Sequence, residues 1–236
     1  MKIEVQASSP AFSRVGLGAS GDALEQLGYL YSDTTPPEPD APDVKQMTTV
    51  LRKIQDARTL KAAGRISEAV SQLEEVLEQS PNDRRVLNHL GVWLGNAGRS
   101  EEAIVYLERL VKLDPDFSPA YSNMVLPYIR TGAFDKARAA VETLVELRPS
   151  SAKTWVNYGI LEMEEGNLTA AITQFSKAVE ITPHRHEAWA NMAVAYSRLQ
   201  DPVRALDASK KALAIKPGSA AYRRLVEQNA TAPRRQ

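Results

Sequence analysis

The chain contains no cysteine, which excludes disulfides, zinc–thiolate sites and thiol catalysis. It carries no net charge, with 29 Lys+Arg against 29 Asp+Glu. A general nucleic-acid or membrane-surface binder needs a basic excess that is missing here. The apolar runs are only a few residues long, too short to insert into or span a membrane. Behind Lys2, Glu4 and Gln6 interrupt the continuous apolar core that a signal peptide requires, so a cytoplasmic chain is expected.

Catalytic signatures are missing as well. There is no G-x-S-x-G, no phosphate-binding loop and no H-E-x-x-H. His184 and His186 stand in one loop with only Glu187 beside them, a poor ligand set for a metal. Carboxylate pairs such as Glu101-Glu102 and Glu164-Glu165 are more simply solvated helix faces. Residues 16–21 spell G-x-G-x-x-G. However, Ser8, Ser9 and Pro10 break the strand that a dinucleotide site needs in front of that pattern, so it reads as a loop. A non-enzymatic protein is expected, with no cofactor and no metal.

What the chain has is repetition. Pro81, Pro115, Pro149, Pro183 and Pro217 are each 34 residues apart. Ala69, Ala103, Ala137, Ala171 and Ala205 keep the same step, as do Gly64, Gly98, Gly132 and Gly166. Three columns in one register define five units, 50–83, 84–117, 118–151, 152–185 and 186–219. Within residues 152–185, Trp155, Tyr158, Gly159 and Met163 share one face of a first helix. Gly166 ends that helix, Leu168 to Val179 stripe a second, and Pro183 stops the next turn. Gly91, Gly159, Ala57 and Ala193 are placed where the two helices of a unit cross. Pro127, inside a first helix, should kink it. Asp201 and Pro202 open a second helix as N-cap and first residue. Gln200, standing where the turn glycine belongs, is expected to matter little.

Trp155-x-x-Tyr158-Gly159, Gly166, Ala171, Phe175, Ala178 and Pro183 resemble the tetratricopeptide repeat (TPR) motif. The resemblance implies an all-α solenoid, a right-handed superhelix of helix–turn–helix repeats. The first helices would line a concave groove that holds a protein or an extended peptide. Self-association is an open alternative. The groove candidates include Gln55, His89, Asn123, Asn157 and Asn191, each two places before the small-residue column. An amide can both donate to and accept from a peptide backbone, and the arrangement is similar to the asparagine ladder of the O-linked N-acetylglucosamine transferase superhelix. Around them stand Arg58, Asn88, Val92, Asn96, Leu126, Ile129, Arg130, Val156, Ile160, Met163 and Val194. Ile54 and Arg58 occupy the places where chaperone-binding members of the family carry a clamp lysine and asparagine. The expected ligand is therefore an extended segment with apolar side chains rather than a heat-shock-protein tail.

Outside the repeats, residues 1–33 are expected to form an extension with a short strand at 2–6 and a helix at 22–31. Residues 34–49 form an acidic proline-rich linker. Residues 220–230 form a capping helix, and residues 231–236 a disordered tail. Residues 22–46 also resemble the junction of bacterial sulfatases that carry C-terminal TPR repeats, through Leu27-Gly28-Tyr29 and the linker behind it. That resemblance implies the alternative of an accessory region of a sulfatase-like, exported enzyme. The C/S-x-P-x-R signature of its active site is missing here.

Overall fold

The structure, a computed structural model, describes residues 44–231. The strand expected at 2–6, the glycine loop, the helix at 22–31, the linker up to residue 43 and the tail from 232 lie outside the described residues. The described residues form eleven helices and no strand. They are α1 (Val44–Ala62), α2 (Ile66–Gln79), α3 (Arg84–Asn96), α4 (Ser100–Leu113), α5 (Ser118–Arg130), α6 (Phe134–Leu147), α7 (Ala152–Glu164), α8 (Leu168–Ile181), α9 (His186–Arg198), α10 (Pro202–Ile215) and α11 (Ala220–Thr231). The chain divides into two units between Lys53 and Ile54. Of the first, only residues 44–53 are described, and they are helical. Helix α1 thus begins ahead of Val50, and residues 44–49 are helix rather than linker. No proline or glycine follows Pro42 until Gly64, so nothing delays the helix.

Two backbone devices repeat in every unit. Between first and second helix one residue turns left-handed: Gly64 at φ +79°, Gly98 at +81°, Gly132 at +74° and Gly166 at +88°. The next residue then donates its N–H five residues back, as in Arg99 to the Leu94 carbonyl at 2.9 Å and Asn167 to Glu162 at 2.8 Å. That is the long bond of a Schellman cap, closing the first helix where carbonyls would otherwise be orphaned. At the end of each second helix the residue before proline (Ser80, Asp114, Arg148, Thr182 or Lys216) leaves the helical region at ψ between 58° and 91°. The proline ring clashes with a helical predecessor, so the chain reverses there.

The fifth turn departs from this. Gln200 takes the left-handed backbone at φ +58°, and Asp201 still donates to the Tyr196 carbonyl at 2.9 Å. The turn is kept although its side chain disfavours it, so the substitution for glycine is less neutral than the sequence suggests. A non-glycine residue held there costs on the order of 1 kcal/mol. Gln200→Gly is expected to raise stability by about that amount in chemical denaturation; an unchanged or lower stability would show that the turn is unstrained. Asp201 also caps α10, accepting from the Arg204 N–H at 3.0 Å.

Helix α5 runs unbroken through Pro127. The missing N–H leaves the Asn123 carbonyl without its usual partner, and the buried ring packs towards Gly95 of α3. From α2 onwards each helix packs on the next, and successive first helices α3, α5, α7 and α9 also touch directly. Fully buried alanines (Ala69, Ala103, Ala137, Ala171 and Ala205) let the two helices of a pair approach closely. The indole N–H groups of Trp155 and Trp189 donate to the carbonyls of Pro149 and Pro183 at 2.7 and 3.0 Å. Each indole is covered by a lysine of its own unit's second helix, Lys177 or Lys211. At the C-terminal end, α11 lies on α10 and α9, with Asn229 buried and the Tyr222 hydroxyl 2.8 Å from His186 Nδ1.

Candidate partner-binding groove

The first helices bring most of the expected groove residues into a repeating row. One apolar residue in each of the second to fifth units forms its spine: Val92, Ile160 and Val194 are half-buried, and Leu126 is 42% exposed. Ile129, Val156 and Met163 are instead buried, at 9%, 5% and 6% exposure. Val156 and Met163 belong to the core around Phe175.

The amides alongside the spine are engaged across units. Asn123 donates to Asn88 Oδ1 at 3.3 Å. Asn157, buried, donates to the Ser122 hydroxyl at 2.9 Å and to its carbonyl at 3.2 Å. Both bonds span 35 residues, one repeat plus one. Each therefore joins a first helix to the previous one, while the acceptor oxygens of Asn123 and Asn157 make no bond among the described residues. Asn191, half-buried, makes no side-chain hydrogen bond among them, and Gln55 is exposed on α1.

The cations are likewise tied down. Arg58, exposed, donates to His89 Nε2 at 3.3 Å. Burial, then Arg58 and then Lys61, push the His89 imidazole below its ordinary pKa, which suits a ring that accepts from a guanidinium. The ring packs against Trp93 at 5.3 Å. Arg130 donates to the Gly95 carbonyl at 2.7 Å and Arg198 to that of Met163 at 3.2 Å. Each caps the C-terminal end of the preceding first helix, where cations are favoured. Ser122 and Arg198 were not legible as contributors. Their signal lies in pairing positions 35 residues apart, which a column of identical residues does not display.

Models of the tetratricopeptide repeat match residues 94–155 and 162–228, and in a second version residues 55–116 and 125–186, in each case more than half of the chain. The chain belongs to the tetratricopeptide repeat family. No curated protein matches it. Among solved structures, it is similar to a thermophilic TPR protein of Thermus thermophilus, with a TM-score of 0.68 at 19% identity over 77% of this chain and 98% of that one. It is also similar to residues 41 to the end of MamA from Desulfovibrio magneticus RS-1, at 0.61 and 19% over 76% and 99%. MamA MSR-1 aligns at 0.55 and 26% over 75% and 100%. The first two likenesses speak to the fold alone. As a TPR protein the chain has the architecture of a protein-interaction scaffold. No helix among the described residues is long and apolar enough to cross a membrane, and no cluster of three or more metal-ligating side chains occurs among them. The sulfatase-like junction falls almost wholly on residues outside those described, and none of these likenesses supports it.

Proposed function

We propose that this TPR protein is a non-catalytic scaffold that holds an extended segment of a protein partner along its row of first helices. The observation that carries the reading is the apolar spine Val92, Leu126, Ile160 and Val194, flanked by Asn123, whose cross-unit bond fixes its orientation and leaves its acceptor oxygen without a partner among the described residues. An extended chain offers what such a surface takes: backbone N–H groups for the Asn123 oxygen, and alternate apolar side chains for the spine. Leu126 is the most exposed member of the row and makes the sharpest test. Peptides are selected by display on the wild-type protein. They are then titrated against wild type, Leu126→Glu, and a control at Val105, 62% exposed on the second helix α4, changed to Glu. The selected peptides should bind Leu126→Glu at least tenfold more weakly and the Val105 control unchanged. Equal affinity for all three, or failure to select any peptide, would sink the reading.

A further inference from the structure

Among the described residues, a cavity lies beside the amide row and apart from the apolar spine. It has a volume of about 270 Å³ and lies where the N-terminal turns of α5 and α7 meet the C-terminal end of α6. Ser118, Ser122, Arg148, Ser151, Lys153 and Thr154 line it.

Counting donors and acceptors decides what it can take. Arg148 donates through Nε to the hydroxyl oxygen of Ser118 at 3.2 Å, with Ser118 only 6% exposed. The Ser122 hydroxyl oxygen accepts from Asn157. Both serine oxygens therefore act as acceptors towards the protein, and their protons have no acceptor among the described residues. Ser151 precedes α7 without capping it. Thr154 is spent, donating to the Arg148 carbonyl at 3.0 Å and pinning that turn. Arg148 and Lys153 form no ion pair with any carboxylate among the described residues. Lys153 lies in a positive field: desolvation first and the Arg185 charge second lower its ammonium pKa, against a smaller opposing effect of Glu187. Pro119 and Leu144 supply the apolar part of the lining, and its polar side chains offer donors and positive charge with few free acceptors. A ligand complementary to it carries acceptors and negative charge.

We propose that this cavity is a binding site for a phosphoryl group. Three terminal oxygens and nearly two negative charges match two cations and three hydroxyl protons, a donor set larger than the two oxygens of a carboxylate use. The donors come from two first helices and one second helix, so the site exists only where two units adjoin. Ser122 belongs both to the cavity and to the Asn157 bond beside the spine. A phosphorylated side chain on the groove-bound segment is therefore the natural carrier, a step that rests on the groove reading.

The test is a 1H–15N NMR titration at constant ionic strength, with inorganic phosphate, N-acetyl-phosphoserine-amide and sodium chloride as separate probes. The proteins are wild type, Lys153→Gln and Arg148→Gln/Lys153→Gln. Both phosphoryl probes should shift the amides of residues 118–122 and 148–154 saturably, chloride should not, and the double variant should bind at least tenfold more weakly with the rest of its spectrum unmoved. Lys153→Gln, which leaves the Arg148–Ser118 bond in place, should fall between them and keeps the test open if the double variant is perturbed. A response that does not saturate, that chloride reproduces, or that the variants retain overturns the site. Saturable binding of inorganic phosphate without binding of the capped phosphoserine overturns the partner-borne carrier. No probe here is an extended peptide, so this result and the Leu126→Glu result fail independently.

Discussion

Gly159→Ala is expected to destabilise the protein by about 1–3 kcal/mol, although alanine is the better helix former by about 1 kcal/mol. Gly159 lies in mid-helix on α7, and an added Cβ would come within 2.4 Å of Phe175 Cε1 and 2.5 Å of Cδ1. The ring cannot swing away. Phe175 is fully buried among Ala171, Ala178 and Met163, and close-packed interiors give little ground to an extra methyl. Gly95→Ala is the control: its new Cβ would meet Pro127 Cγ at 3.4 Å as its nearest contact, so propensity should prevail and stability hold or rise slightly. Chemical denaturation of both variants reads the difference. If Gly159→Ala behaves like Gly95→Ala, the helix crossing is looser than drawn. Phe175→Leu added to Gly159→Ala should recover part of the loss.

The same steric relation recurs at Gly91, where an added Cβ would lie 2.4 Å from Leu107 Cγ. In the corresponding places of the third unit stand Val125 and Val141, both buried. In the fifth they are Ala193 and Ser209, both fully buried. Glycine faces the large ring or leucine, valine faces valine, and alanine faces serine. The crossing is filled by a different pair in each of these units.

The second large effect is expected at Arg138. Glu162 is 7% exposed and accepts from Arg138 of α6 at 3.2 Å and from the Asn167 amide at 2.9 Å. Arg138 also pairs with Glu165. Arg138→Met would leave a buried carboxylate with one neutral donor, at a cost of about 2–4 kcal/mol, towards the lower end of what breaking a buried ion pair costs because the guanidinium is partly solvated. Glu162→Gln in the same background should restore much of that loss, since the amide removes the stranded charge and still accepts from Asn167. A double-mutant cycle by urea denaturation measures the coupling; strictly additive changes would show that the pair contributes nothing jointly.

The fold was legible because its causes are local. A left-handed turn residue, a proline that forbids helix before it and a small residue at the crossing are each fixed by backbone sterics, and each recurs in an unbroken register. The one gap in that register, Gln200, was visible, but its left-handed backbone was not. The groove was legible only in outline. That Leu126 stands out and Ile129 does not depends on how closely two first helices approach, a distance no single unit encodes. The sequence separated Asn157 from Ser122, and Arg148 from Lys153, into different columns. Their meeting depends on the stacking of one unit on another, so neither the amide bond nor the phosphoryl cavity had a signature in the pattern.

The steric match at each crossing is closed within a single helix pair, whereas the amide bonds of Asn123 and Asn157 reach into the preceding unit. Gain or loss of a whole 34-residue unit thus keeps the partners of each crossing together, while a core shared by adjacent units, such as the one joining residues 152–178 to 188–208, is rebuilt at the new junction. It also changes which rungs meet there. A lineage built this way lengthens or shortens its scaffold in whole units, and each such event redraws what the scaffold can hold.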